Sequence, residues 1–496
     1  MMEEVIINSY GYKHYHEQFM QNTNGTTATE VLLIVLPAPF GIFLSTYVSS
    51  VLLYAAKSRI QFPPKVTRWL PFVIDFVVIT VPFILCFTVY SDVHIVVSSA
   101  FFISLCVCVI YSCILNRNVL TKDFISALLR TPINEERRPY VTNFRAIMNL
   151  MTAVCILAVD FKIFPRRLAK TETFGYGLMD VGVGLFIIAN AIVSSESLGY
   201  NFMPKMFTTS MWKALKDCIP LLLLGFARFF VTKQIDYQQH VSEYGVQWNF
   251  FITLAITKIT GTLVSQIISF DYSFMVSVII LGIHQFLLSS GLQDWVLSNV
   301  PRENFLTANR EGIISSLGYV ALYFAGIWLG RMLRVNSSSF RSNLMLIGKL
   351  IVFSFALWLF TSLCELWFGV SRRLANAGYI IWILAFSITV LAILMSIELI
   401  TLMLNKITKT SLNLKNHRSH EFRNVHINYV PLILEAINYN GLLFFLIANL
   451  LTGLVNICVH TLMMGVLHSA CIICVYCIIL CASAVLLYLK KIKVKM

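Results

Sequence analysis

The sequence predicts an all-α, polytopic integral membrane protein, a bundle of about 13 transmembrane helices. Of its 496 residues, 57% are hydrophobic and only 12% are charged, whereas ordinary soluble domains carry about 25% charged residues. The mean hydropathy is +0.76. A soluble protein of this length would need more polar surface, so that class is excluded, as are disordered, collagen-like and disulfide-scaffold proteins.

Apolar runs long enough to cross a bilayer recur along the chain, since each crossing needs about 20 residues. The thirteen predicted runs begin near Val31, Trp69, His94, Ile147, Gly175, Cys218, Trp248, Tyr272, Gly312, Asn343, Leu374, Gly441 and Leu462. The fourth run is the weakest, because Asp160 and Lys162 interrupt it early. The first thirty residues lack the basic and apolar regions of a cleavable signal peptide, so the first run is expected to act as a signal anchor.

The loop charges predict the orientation. With the N-terminus outside the cytosol, the cytosolic segments hold more than twice as many Lys and Arg residues as the opposite side, as the positive-inside rule requires. This asymmetry accounts for the net charge of +14, so no nucleic-acid partner is expected. Asn24-Gly25-Thr26 is a glycosylation sequon, which suits a lumenal N-terminus.

The predicted organisation is simple. Residues 1–30 form a lumenal N-terminal tail, residues 31–489 a single multi-span membrane domain, and residues 490–496 a cytosolic basic tail. Neither an internal repeat nor an inverted pair of broken helices, the usual sign of a transporter, is evident. Cys471, Cys474 and Cys477 have metal-like spacing, but no second pair completes a site. No metal and no cofactor are therefore expected.

Charge concentrates where the predicted topology disfavours it. Residues 160–170 hold Asp160 and four basic residues in one lumenal stretch that is interrupted by Pro165. An interfacial turn whose charges neutralise one another is the alternative explanation. A bend at the proline would let Asp160 and Lys170 approach each other. An acid, a cation and the planar guanidinium groups of Arg166 and Arg167 suit acyl transfer to a hydroxyl beside a phosphate.

Further polar groups lie on the same predicted side. Asp180 falls inside the fifth run, where a charged residue is a functional candidate by default. The groups before the seventh and ninth runs could instead be an aromatic belt and a helix cap. The candidate substrate-binding residues here are Asp180, Tyr244, Trp248, Asn249, Asn309, Arg310 and Glu311.

Four stretches carry a family resemblance. Residues 156–186, 244–251, 309–319 and 371–376 resemble, in this order, the inositol acyltransferase family of glycosylphosphatidylinositol (GPI) anchor synthesis. The similarity runs over essentially the whole chain, and the first stretch is highly specific. Residues 406–440 do not match anything in that family.

The resemblance implies a multi-pass enzyme of the endoplasmic reticulum membrane, an acyl-CoA-dependent O-acyltransferase. Such an enzyme moves a fatty acyl group, typically palmitoyl, from acyl-CoA to the 2-hydroxyl of inositol in glucosaminyl-phosphatidylinositol. The family's catalytic acid and lysine match Asp160 and Lys170. On that basis Asp160 is assigned as the base, Lys170 as the group that orients it or stabilises charge, and Arg166 and Arg167 as phosphate ligands.

Two other function classes use the same charges. A polytopic transporter or lipid flippase would couple flux to a gradient and show no turnover of acyl-CoA. A non-enzymatic subunit of a membrane complex would lose its partners when Asp160 is changed, whereas an enzyme would stay folded and lose activity.

Overall fold

The computed structural model describes residues 15–16, 18–21, 23–58, 64–133, 138–198, 207–234, 241–335, 339–415 and 430–494. Parts of the two predicted tails and of the 406–440 stretch lie outside these residues. The described helices, in chain order, are α1 (Ala28–Leu33), α2 (Pro37–Ser58), α3 (Pro64–Asp75), α4 (Val81–Phe87), α5 (His94–Leu115), α6 (Lys122–Leu129), α7 (Pro139–Ala158), α8 (Val181–Ala191), α9 (Phe207–Gln234), α10 (Val241–Tyr244), α11 (Phe250–Ile267), α12 (Ser273–Leu287), α13 (Gln293–Leu297), α14 (Phe305–Ala308), α15 (Arg310–Val335), α16 (Phe340–Phe368), α17 (Ala377–Lys415), α18 (Leu432–Tyr439), α19 (Gly441–Cys458) and α20 (Val466–Leu489).

The predicted all-α membrane bundle is confirmed. Eleven helical stretches of the described residues are long and apolar enough to cross a membrane, and they correspond to predicted runs one to four and seven to thirteen. The fifth and sixth runs are the short apolar helix α8 and the 28-residue helix α9. In the described part of the chain, extended pairing is limited to isolated bridges, Thr26 with Tyr176 and Pro132 with Ser339.

The core lies around α7, α15 and α17, which are the most buried of the spanning helices. Helix α17 is apolar around its circumference, as expected for a helix surrounded by protein. It packs against α16, α7, α8 and α15. Tyr319 of α15 meets Tyr379 of α17 edge to face, with ring centroids 6.2 Å apart. Gly318 lies against the Ala375 carbonyl, where a Cβ would approach within 2.2 Å.

The outer helices present apolar side chains to their surroundings. Ile103 and Ile110 of α5 are exposed, as are Val352 and Phe355 of α16. These helices are far less buried than α17. In a membrane protein such surfaces face lipid, so α5 and α16 lie at the periphery of the bundle.

Helices α7 and α8 begin at different residues from the fourth and fifth predicted runs, to which they correspond. Helix α7 begins at Pro139, ahead of the predicted start near Ile147, and it ends before Asp160. Proline suits a first helical position because it lacks the N–H that would be unpaired there. Helix α8 begins at Val181 rather than near Gly175. Asp180 therefore lies at a helix boundary and not inside a span, which corrects the prediction.

Residues 159–180, here called the 159–180 loop, join α7 to α8. Gly175 has a φ of 125°, which disfavours a side chain. Gly177 approaches the Ala169 carbonyl so closely that a Cβ would lie 2.2 Å from its oxygen. Because the loop folds back on itself at these glycines, a helix cannot continue through it.

Candidate active site at one end of the bundle

The N-terminal segment packs along the 159–180 loop. The Thr26 N–H donates to the Tyr176 carbonyl at 2.6 Å, and the Thr23 hydroxyl donates to the Lys170 carbonyl at 2.5 Å. Gly25 has a φ of 80° and leaves no room for a Cβ beside Tyr176. Asn24, the sequon residue, is exposed. Residues predicted as a tail therefore form one wall of the candidate site.

Asp160 lies just beyond the end of α7, and its carboxylate is buried. Asn456 of α19 donates to Asp160 Oδ2 at 2.7 Å, and His16 Nε2 lies 3.6 Å from Oδ1. Burial raises the pKa of the Asp160 carboxyl, while the Asn456 hydrogen bond and the nearby His16 and Arg166 act in the opposite direction. A carboxylate with a raised pKa is suited to act as a general base near neutral pH.

Lys170 contacts a different acid from the one predicted. Its Nζ lies 2.8 Å from Glu243 Oε2, so its ion-pair partner is Glu243 and not Asp160. The reason lies in the loop, where the Met179 N–H donates to the Leu168 carbonyl and Gly177 packs on Ala169. These contacts turn the chain at Lys170 toward α8, away from the end of α7. The catalytic assignment of both residues stays a prediction.

Arg166 and Arg167 point to different partners. Arg166 donates to the Val159 carbonyl at 3.0 Å, and its guanidinium lies 4.5 Å from the centroid of the Phe19 ring. Arg167 donates to Glu30 at 3.0 Å and to Asp92 at 2.5 Å. Arg166 therefore lies beside Asp160, whereas Arg167 ties the loop to α1 and to the turn before α5. The structure does not join them into one phosphate clamp.

Asp180 is fully buried and paired. Arg372 Nε donates to Asp180 Oδ1 at 2.7 Å, and both the N–H and the hydroxyl of Thr171 donate to Oδ2, at 3.1 and 2.9 Å. The Tyr379 hydroxyl donates to the Asp180 carbonyl at 2.8 Å. Burial alone would lower the pKa of Arg372, but Glu243 and Asp180 raise it above its ordinary value. Arg372 thus carries a permanent charge inside the protein.

The segment before α11 is fastened to the start of α15. Asn309 Oδ1 accepts from the N–H groups of Gln247 and Trp248 at 2.9 and 3.0 Å. Asn249 caps α11 by accepting from the Phe251 and Ile252 N–H groups. The Trp248 ring covers Gly312 of α15, and its Nε1 donates to Thr253.

The remaining candidates of this region lie in the same contacts. The backbone carbonyl of Tyr244 also lies against Gly312. Asn309 contacts the segment that carries Trp248 and Asn249. The structure therefore brings Tyr244, Trp248, Asn249 and Asn309 together, and the contacts of the last three hold helices in place.

Glu311 lies at the centre of three arginines. Its carboxylate is fully buried and accepts from Arg302 at 2.6 and 3.0 Å and from Arg373 at 2.8 Å. Arg310 Nε lies 3.7 Å away, while the Arg310 Nη atoms donate to the Val300 and Ser298 carbonyls. Three cations around one carboxylate stabilise its charged form. These four residues are called the Glu311 cluster below.

The predicted convergence of these stretches on one end of the bundle holds in the structure. Helices α8, α11, α15 and α17 all begin there, and α7 and α19 end there. We call this end the Asp160 face. Its contacts join residues far apart in the chain, such as Lys170 with Glu243 and Asp180 with Arg372.

Three of the residues that contact the candidates matter most for the site, and sequence reasoning did not single them out. Arg372 pairs with Asp180, Glu243 with Lys170, and Asn456 with Asp160. Arg372 falls in a predicted lumenal loop, where the positive-inside rule disfavours basic residues. The charge distribution that singled out residues 160–170 could therefore have identified Arg372 as well. Asn456 shares an apolar span with Asn449 and Thr452, so its polarity alone is a weaker signal.

Comparison with known proteins identifies the family. The GWT1 family model matches residues 12–487. The chain is 32% identical to the phosphatidylinositol-glycan biosynthesis class W protein of Dictyostelium discoideum, covering 98% of this chain and 99% of the relative. It is 30% identical to the human glucosaminyl-phosphatidylinositol-acyltransferase PIGW (96% and 98%) and 31% identical to the Saccharomyces cerevisiae GPI-anchored wall transfer protein 1 (98% and 99%).

The chain belongs to the GWT1 family. The predicted resemblance is confirmed, since the family model covers nearly the whole chain. Membership places this multi-pass membrane protein among the acyltransferases of GPI-anchor biosynthesis. In the predicted topology the Asp160 face is the lumenal end of the bundle.

Proposed function

We propose that this protein transfers a fatty acyl group such as palmitoyl from acyl-CoA to the inositol 2-hydroxyl of glucosaminyl-phosphatidylinositol in the endoplasmic reticulum membrane. The observation that carries the proposal is the buried Asp160 carboxylate at the Asp160 face, with the accessible ammonium of Lys170 on the same loop. The names of two mammalian relatives, which are glucosaminyl-phosphatidylinositol-acyltransferases, support the proposed substrate class.

The proposed chemistry uses groups that are placed at this face. Asp160 accepts the proton of the inositol hydroxyl, whose oxygen attacks the thioester carbonyl of acyl-CoA. The N–H groups of Lys170 stabilise the oxyanion of the tetrahedral intermediate. Collapse of that intermediate forms the inositol ester and breaks the C–S bond, and the CoA thiolate leaves and takes up a proton.

The phosphate groups of both substrates need cationic partners. Arg166 lies beside Asp160, so it is the proposed ligand for a phosphate held near the reacting hydroxyl. Arg167, bound to two carboxylates, contributes to phosphate binding only if the substrate displaces Glu30 or Asp92. Arg166→Leu is accordingly expected to raise the KM for the phospholipid acceptor more than Arg167→Leu does.

The test of substrate identity uses microsomes from cells that lack the endogenous enzyme and express this chain. They receive labelled palmitoyl-CoA with either glucosaminyl-phosphatidylinositol or its 2-deoxyinositol analogue. We expect labelled lipid from the first acceptor and none from the analogue. Equal labelling of both acceptors would place the ester on another hydroxyl. An absence of labelled lipid from well-folded protein would favour the transporter or flippase alternative.

The proposed orientation has its own test. Asn24 is exposed and would face the lumen if the N-terminus is lumenal. Wild-type protein should then lose apparent mass on treatment with an N-glycosidase, and Asn24→Gln should migrate like the treated wild type. If the glycosidase does not change the apparent mass of wild-type protein, the sequon no longer supports this orientation. The distribution of Lys and Arg in the loops would then be its remaining support.

A further inference from the structure

A row of alternating charges leads from the protein interior to Lys170. The side chains of Asp180, Arg372, Glu243 and Lys170 are 0%, 3%, 20% and 38% exposed, in that order. Arg372 Nε lies 2.7 Å from Asp180, Arg372 Nη2 lies 3.9 Å from Glu243, and Glu243 lies 2.8 Å from Lys170. We call these four residues the Lys170 row. Its buried end is fixed and its exposed end is an ammonium group.

The buried end of the row is anchored on two helices. Asp180 stands directly before α8 and accepts from Thr171. Tyr379 of α17 donates to the Asp180 backbone. Arg372 belongs to the turn before α17, where Asn376 Oδ1 accepts from the Ser371 N–H at 3.1 Å. These contacts fix the position of the Arg372 guanidinium, which in turn supports the Glu243 carboxylate.

Glu243 is also held through its own backbone. It lies on α10, directly ahead of the segment that Asn309 fastens to α15. The Val246 N–H donates to the Ala308 carbonyl at 3.0 Å. Gly245 has a φ of 121° and packs on Asn309, which leaves no room for a Cβ. The carboxylate of Glu243 is thus carried by a backbone whose path is set by two helices.

Lys170 itself needs such support. A lysine ammonium sits on a flexible four-carbon stem and has three N–H donors. The contact with Glu243 accounts for one donor, which leaves two for a substrate oxygen. We infer that Glu243 is a positioning residue that holds the Lys170 ammonium for the reaction, and that Arg372 fixes Glu243 in turn. This inference rests on the proposed function of Lys170.

The kinetic consequence follows from the geometry. A catalytic group displaced by about 1 Å loses roughly 10²-fold in rate. Glu243→Gln keeps the size of the side chain but removes the charge that attracts the ammonium. We therefore expect the kcat of acyl transfer to fall about 10²-fold while the KM for either substrate is unchanged, because the lost contact acts mainly in the transition state.

Three variants separate positioning from a structural role. Glu243→Asp keeps the charge and should recover part of the lost kcat. In a Lys170→Met background, Glu243→Gln should cost nothing more, since the group that it positions is gone. Asp271→Asn is the matched control, an acid-to-amide change that breaks the exposed Arg331 ion pair at the opposite end of the bundle. It should retain the wild-type kcat.

A second readout does not depend on acyl transfer. A zero-length carbodiimide joins a carboxylate to an amine that it touches, so resting wild-type protein should yield a Lys170–Glu243 amide, detected by mass spectrometry of its peptides. Failure to form that amide, or a wild-type kcat for Glu243→Gln, would overturn the inference. Amide formation in a protein that transfers no acyl group would support the Lys170–Glu243 contact and refute the proposed function.

Discussion

The Lys170 row and the Glu311 cluster lie at the same end of the bundle, yet they are built differently. The Glu311 cluster closes on itself, with a fully buried carboxylate held by Arg302 and Arg373. The Lys170 row instead leads outward to an ammonium whose side chain is more than one-third exposed. A buried carboxylate that is already surrounded by its cations is suited to support the fold, whereas the Lys170 row has an accessible ammonium that can contact a substrate.

One turn serves both arrangements. Arg372 and Arg373 are neighbours in the chain, but Arg372 pairs with Asp180 and Arg373 with Glu311. The turn is fixed by Asn376, whose Oδ1 accepts from the Ser371 and Tyr379 N–H groups. The comparison therefore predicts that damage to the Glu311 cluster lowers stability first, and that damage to the Lys170 row lowers activity first.

The largest stability effect is expected from Glu311→Gln. The change leaves three arginines together without their shared carboxylate, and breaking a buried ion pair costs about 3–5 kcal/mol. We expect a large drop in Tm and in the yield of folded protein, measured by fluorescence-detected size exclusion after heating. A Tm equal to that of wild type would contradict the contrast between the two arrangements.

The next largest loss of stability is expected from a substitution in the 159–180 loop, which carries Lys170. Gly177→Ala places a Cβ 2.2 Å from the Ala169 carbonyl oxygen and 2.7 Å from Asp180. Overpacking of this kind costs about 1–3 kcal/mol, and it shifts the backbone beside Lys170, so acyl transfer should fall as well. Gly348→Ala is the control, because a Cβ there meets nothing within 4 Å. Equal Tm and activity in the two variants would show that the loop tolerates the shift.

The pH dependence should change with the partner of Asp160. Burial raises the pKa of this carboxyl, and the base must be ionised, so activity should fall as pH drops through a value above the ordinary one of about 4. The Asn456 hydrogen bond lowers that pKa. Asn456→Leu removes it, so the pKa of Asp160 should rise and the acid limb of kcat/KM should move to higher pH. An unmoved or lowered acid limb would remove Asp160 from the role of base.

The smallest effect is expected away from the Asp160 face, at the opposite end of the bundle. Asp271 and Arg331 form an ion pair near the ends of their helices, and the Asp271 side chain is 68% exposed. Exposed ion pairs contribute about 0–1 kcal/mol. Asp271→Asn should leave Tm and kcat close to wild type in the same assays, and a loss as large as that of Glu243→Gln would show that such changes are not specific to the Lys170 row.

Much of the fold could be predicted from the sequence, because apolar length and loop charge set the spans. Helix boundaries near Gly175 could not, since the 159–180 loop depends on close contacts of Gly177 with Ala169 and of Gly25 with Tyr176. The resemblance found Asp160 and Lys170, but their partners come from other segments. Lys170 pairs with Glu243, which lies 73 positions further along the chain. This pairing depends on how the helices pack, which a short stretch of sequence does not indicate.

Catalysis by Asp160 and Lys170 is tested most directly by comparing wild type with Asp160→Asn and Lys170→Met at matched amounts of folded protein. Microsomes receive labelled glucosaminyl-phosphatidylinositol and palmitoyl-CoA, and the acylated lipid is quantified. Loss of a general base typically costs about 10²–10⁴-fold, and loss of an oxyanion donor costs about 10²–10³-fold. We therefore expect product from wild type and at least about 10²-fold less from each variant, with Tm little changed. Product from all three at similar rates would contradict the account and move catalysis away from the 159–180 loop.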